Sequence, residues 1–121
     1  MEYAIIDFES NGLLDKVTKI HCLSYAVYEG KEKLYSGSIT DYKQMAGFLL
    51  NQKIIVGHNI ICYDIPLSEK ILGIKITAEL IDTLGISYYH YPVAKFKHGL
   101  GSWGERLGFG KPVVEDWKIN Q

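Results

Sequence analysis

Two kinds of chain connection occur in this sequence, and together they leave few folds open. Residues 18–28 (TKIHCLSYAVY) and 31–38 (KEKLYSGS) read as strands, with Glu29-Gly30 as a tight turn between them. That pattern predicts an antiparallel hairpin. The chain then changes character. Asp41 reads as an N-cap, and Tyr42, Met45, Ala46 and Leu49 follow the i, i+3, i+4, i+7 spacing of a helix. KIIVGH (53–58) reads as a short buried strand. Pro66 suits the first turn of the next helix and Gly73 its end. Residues 74–77 read as a short strand and much of 80–90 as a helix. Leu100, Trp103 and Leu107 put an apolar stripe on a last short helix that stops at Gly108. Residues 3–9 are mostly apolar, like a buried central strand, and Ser10, Asn11 and Gly12 break them. The predicted order is β-β-β-α-β-α-(β)-α-α. A hairpin region leading into strands joined by helices implies an α/β fold: a mixed sheet with helices packed on it.

The 121 residues suit one domain, 1–121, and a hydrophobic fraction of 47% supports a packed core and excludes a disordered chain. No repeat, low-complexity tract or linker interrupts it. No apolar run approaches the ~18–20 residues of a membrane span, so no membrane partner is expected. The start, MEYAIIDFE, has neither the basic leader nor the cleavage site of a secretory signal. Two cysteines, Cys22 and Cys62, make no disulfide framework, and a reduced cytoplasmic setting is the simpler expectation. The net charge of −1 neither demands nor forbids a nucleic-acid partner. Lys95, Lys97, Arg106 and Lys111 stand against Glu105 alone from 94 to 111, which makes either a phosphate-facing stretch or a basic solvated loop.

The chemistry lies in the acids. In IIDFESNGL, Asp7 and Glu9 are two apart, and in an extended chain such residues share a face. Paired carboxylates at a strand end lower their mutual repulsion by sharing a divalent cation, and hard oxygen ligands favour Mg²⁺ or Mn²⁺. The alternative is a strand end whose acids simply face water. A second segment, GHNIICYDIPLSEKIL, places Asn59 after a buried strand and Tyr63-Asp64 at a helix start. There Asp64 reads either as a helix-cap acid or as a third carboxylate, and Asn59 as a turn residue or a functional one. Neighbouring strands would let Asp64 approach the Asp7–Glu9 pair, at strand ends where open α/β sheets place ligands. Asp82-Thr83 reads as a helix start with a capping acid. His58 and Cys62 are four apart but lack partners for a zinc site. His90 and His98 read as structural or surface residues, with phosphate contact a lesser alternative for His98. The nine tyrosines suit either packing or stacking on unpaired bases. No Ser-His-Asp set, phosphate-cradling glycine loop or Rossmann fingerprint is present.

DFESNGL resembles the first motif of the DEDD superfamily of 3′–5′ exonucleases, D-x-E-[ST]-x-G-L, and HNIICYD resembles its second. LIDTLGISYYHYP and FKHGLGSWGERLG are similar to the corresponding segments of the exonuclease domain of phage family-A DNA polymerases, so the resemblance runs over nearly the whole chain. It implies an RNase H-like mixed sheet flanked by helices. It implies two Mg²⁺ or Mn²⁺ ions: Asp7 bridging both, Glu9 on the tighter one, and Asp64 reaching the second, partly through water. Leu13 resembles the residue that wedges against the terminal base. Asn59 resembles one that contacts the substrate strand or braces the second motif, and Ser10 joins them as a substrate-side position. Phe8 is internal to the strand and contributes packing, and Asp82-Thr83 resembles a pair that braces the site from behind.

The family's third motif, a Tyr or His followed by Asp on a later helix, has no counterpart. After ERLGFGKP the chain runs VVEDWKINQ, and Glu115 and Asp116 lack the preceding Tyr or His. The resemblance thus implies a C-terminally truncated domain. The leading expectation is a proofreading-type exonuclease acting on single-stranded DNA 3′ ends, helped by a polymerase or second chain that supplies the missing acid. For a phage-encoded protein the setting is the host cytoplasm. The alternatives are a non-catalytic nucleic-acid- or protein-binding module on the same fold, and an RNase H-like endonuclease or resolvase with a three-acid site.

Overall fold

A computed structural model describes residues 1–92 and 96–108. The chain divides into two compact units, Met1–Thr83 and Leu84–Gln121. The first holds the sheet. Its strands are β1 (Glu2–Ser10), β2 (Ile20–Glu29), β3 (Glu32–Ile39), β4 (Ile54–Gly57) and β5 (Glu79–Asp82), in the order β3-β2-β1-β4-β5. β2 pairs antiparallel with β1 and β3, while β1, β4 and β5 run parallel. The mixed sheet read from the sequence is therefore present, with β1 at its centre.

β1 explains how one strand serves both core and site. Ala4, Ile6 and Phe8 are buried and alternate with exposed Ile5, Asp7 and Glu9. The buried set faces Val27 and Leu23 of β2 in register. It also packs with Ile55 of β4 and with Met45 and Leu49 of α1 (Tyr42–Asn51). Leu67 of α2 (Ile65–Leu72) joins the same core. Each fully buried Leu or Ile here contributes roughly 1.5–3 kcal/mol. Both helices thus cover the face opposite the acids. Asp41 caps α1, its Oδ2 accepting the Gln44 N–H at 2.9 Å. Gly73 ends α2 in the left-handed region at φ 68°, its N–H donating to Glu69 O at 3.2 Å.

Two elements differ from expectation. Residues 74–77 form no strand. Ile74, Ile76 and Ala78 are half-buried in alternation, as a strand would have them, but no neighbouring strand pairs with them. The paired strand is β5, four residues at the start of the segment expected to be helical, with Leu80 opposite Ile55. The helix is confined to α3 (Thr83–His90).

In the second unit Ser87 is the buried polar centre. Its Oγ accepts from Trp103 Nε1 at 2.7 Å and meets His98 Nδ1 at 2.6 Å. Trp103 lies in α4 (Leu100–Leu107), which ends at Gly108 as expected. His98 is buried and stacked on Tyr88, with centroids 3.7 Å apart, so it serves packing. Arg106 sits over the Phe96 ring, 3.8 Å from its centroid. Lys95, Lys111, Glu115 and Asp116 lie outside the described residues. Among the described residues, no helix is long and apolar enough to cross a membrane.

Candidate active site

Parallel pairing brings three strand ends to one edge of the sheet. β1 ends in Asp7, Glu9 and Ser10; β4 leads into His58 and Asn59; β5 ends in Asp82, followed by Thr83. The carboxyl ends of parallel strands are where such sheets gather ligands. The register shifts between Glu9 and Ser10, which face Cys22 and Ile20, so the extra residue is His21 and the bend falls on β2 beside the end of β1.

The segment after β4 delivers Asp64. Gly57 ends the strand because the chain passes too close for a side chain. A Cβ there would collide with the Ile60 side chain and lie 3.1 Å from Ile6 O. Asn59 follows in the left-handed region at φ 63°, which Asn tolerates better than most residues. Ile60–Asp64 is then a π-helical turn, closed by the Ile65 N–H on Ile60 O. Such turns are rare and are found frequently at functional sites. Here it leaves Asp64 buried, 5% exposed, at the start of α2. Asp64 has helical dihedrals and caps nothing. Its carboxylate turns to β1 instead, where Oδ2 accepts the Phe8 N–H at 3.2 Å. The pairing of β1 with β4 stops at Ile5–Val56, so Asp64 takes a strand N–H that β4 leaves open. Phe8 therefore does more than pack: its amide, between the two acids of β1, anchors the acid of the second segment.

Electrostatics follow from that position. The Asp64 carboxyl is pushed up from 3.8 to about 7, first by loss of water on burial, then by the negative charges of Asp7 and Asp82. The bond from Phe8 opposes the rise only in part. Asp7 and Asp64 are thus electrostatic neighbours, while Glu9 lies on the same exposed sheet face as Asp7. Carboxylate oxygens are the donors that Mg²⁺ and Mn²⁺ prefer. Among the described residues, however, no group of three His, Cys, Asp or Glu side chains is arranged to hold a metal ion.

Around the acids, side chains fix the backbone. Asp82 Oδ1 accepts Asn59 N at 2.8 Å and Oδ2 accepts Ile61 N at 3.0 Å, and Thr83 Oγ1 bonds His58 Nδ1 at 2.8 Å. Asp82-Thr83 is thus a brace for the turn that carries Asp64, and His58 belongs to the same brace. Asn59 takes part through its backbone. Ser10 Oγ meets the Tyr63 hydroxyl, and Leu13 projects from the β1–β2 loop, 76% exposed. The role of Tyr63 is not evident from the sequence, where its place directly before Asp64 is the only signal. A groove of about 490 Å³ lined by Tyr3, Ile54, Val56 and Ile81 contains none of these acids.

A central strand ending in two acids, a buried third acid from the next crossover, and a β3-β2-β1-β4-β5 mixed sheet make up an α/β fold that matches an exonuclease fold. The chain superposes on Exonuclease X, solved with 5′-overhanging duplex DNA, with a TM-score of 0.68 over 93% of this chain and 77% of that one, at 13% identity. In sequence it is 30% identical over 139 residues to the DNA-directed DNA polymerase of Enterobacteria phage T3, taking in 93% of this chain. It spans 20% of that relative's length. No protein-family model matches.

Proposed function

We propose that this domain is a divalent-metal-dependent 3′–5′ exonuclease module of proofreading type, acting on single-stranded DNA ends. The observation that carries the reading is the Asp64 carboxylate seated on the Phe8 amide, between Asp7 and Glu9 along β1. Asp7, Glu9 and Asp64 are the residues that would hold Mg²⁺ or Mn²⁺. When bound, the cations would activate water and offset charge on the departing 3′ oxygen. The chain's own part is to fix these oxygens. Asp82 and Thr83 hold the turn behind Asp64, Leu13 packs against the terminal base, and Asn59 borders the strand. Ser10 acts through the loop it helps to close.

A second reading is favoured by two observations. No Tyr or His followed by Asp of the third-motif kind occurs in the 121 residues, and the described acids do not close into a metal cluster. It takes the domain as a DNA-binding module whose chemistry needs a carboxylate from elsewhere, such as a polymerase or a second chain. One assay separates the two. A 5′-labelled single strand incubated with Mn²⁺ should shorten one nucleotide at a time, and chelator or Asp7→Ala should abolish this. Retention of the strand without products would establish the binding module. Neither products nor retention would overturn both.

A further inference from the structure

The loop between β1 and β2 is exposed at its crown yet tied at every level. At its base, Asn11 Oδ1 accepts the N–H groups of Thr18 and Lys19, both at 3.1 Å, and Asn11 Nδ2 donates to Thr18 Oγ1 at 2.8 Å. In its middle, Leu13 O accepts Lys16 N at 3.0 Å and Val17 N at 2.8 Å, and the Val17 side chain is buried. At the crown two further ties come from outside the loop. The Tyr63 hydroxyl donates to Gly12 O at 2.6 Å, and Lys70 Nζ donates to Leu14 O at 3.0 Å. Gly12 and Leu14 are the residues on either side of Leu13. Both carbonyls flanking the exposed leucine are therefore held by side chains of the segment that carries Asp64.

We propose that Tyr63 and Lys70 are positioning residues that lock Leu13 at a set distance from Asp64, so that the leucine meets the last base of an unpaired DNA 3′ end while the carboxylate faces the last phosphodiester. This rests on the nucleic-acid reading above. The chemistry suits the task. A tyrosine hydroxyl on a carbonyl is directional, the lysine bond is charge-assisted, and together they restrain the backbone on both sides of the leucine. A loop fixed in advance loses less freedom when its ligand arrives. Ser10 completes the tie, since its Oγ meets the Tyr63 hydroxyl and also lies 3.2 Å from Gly12 O.

The test uses the full chain and a single-stranded oligonucleotide with 2-aminopurine as its 3′-terminal base, with Ca²⁺ replacing Mg²⁺ to limit turnover. Tyr63→Phe and Lys70→Met should each weaken the terminal-base signal about three- to tenfold, the range for one lost hydrogen bond. Either change should lose its effect in a Leu13→Ala background, because both act through the leucine. Amide exchange at residues 13–17 should quicken in Tyr63→Phe without DNA present. A merely structural role would give losses that persist in the Leu13→Ala background. Persistent losses, unchanged affinity, or unchanged loop exchange would each overturn the inference while leaving the domain a DNA-end binder. No signal from the unsubstituted protein would overturn the nucleic-acid reading, and the inference with it.

Discussion

Asp64 is a buried carboxyl group, and burial disfavours its charged form. Asp64 is raised from 3.8 to about 7 by burial and by Asp7 and Asp82. The sign of the linkage is fixed. Between these two values the unfolded chain releases the proton and the folded chain holds it, so stability falls as pH rises from about 4 to about 7. The loss is complete above that window and absent below it, and at 1.36 kcal/mol per unit it is at most about 4 kcal/mol. Asp64→Asn keeps an oxygen for the Phe8 amide and cannot ionise. It should raise the thermal midpoint at pH 8, leave it nearly unchanged at pH 4, and flatten the decline between. An unaltered pH profile in scanning calorimetry would refute this account of Asp64.

Among elements, those with long, patterned sequences were legible and the short connecting ones were not. The β2–β3 hairpin and the capped α1 announce themselves, because turn residues, apolar spacing and an N-cap acid agree locally. β5 is four residues, too short to show a period, and it is a strand because β4 offers it an edge. Ile74 and Ile76 imitate a strand through alternating burial, yet nothing pairs with them. The π-helical turn has no sequence period, so the direction in which Asp64 points could not be read. The acids Asp7, Glu9 and Asp64 were legible as candidates, whereas the role of the Phe8 amide depends on where β4 leaves β1. Gly57 is where that departure is most exacting. Gly57→Ala would press on Ile60 and the Ile6 carbonyl and should cost about 1–3 kcal/mol, read as a lower urea midpoint with unchanged slope.

On the scale of the whole molecule, residues distant in sequence share one edge only because three parallel strands end there. The outermost of them is also among the shortest. β5 pairs with a single neighbour over four residues, and its last residue is Asp82, which holds two backbone amides, those of Asn59 and Ile61, in the turn leading to Asp64. Short peripheral strands open at free energies well below that of global unfolding. Warming should therefore loosen this corner first: hydrogen exchange at the Asn59 and Ile61 amides should quicken several degrees before the far-ultraviolet dichroism of the sheet changes. The working ceiling of the domain would then be set by the fraying of one peripheral ribbon, and stapling that ribbon to its neighbour should raise the ceiling with little effect on bulk melting.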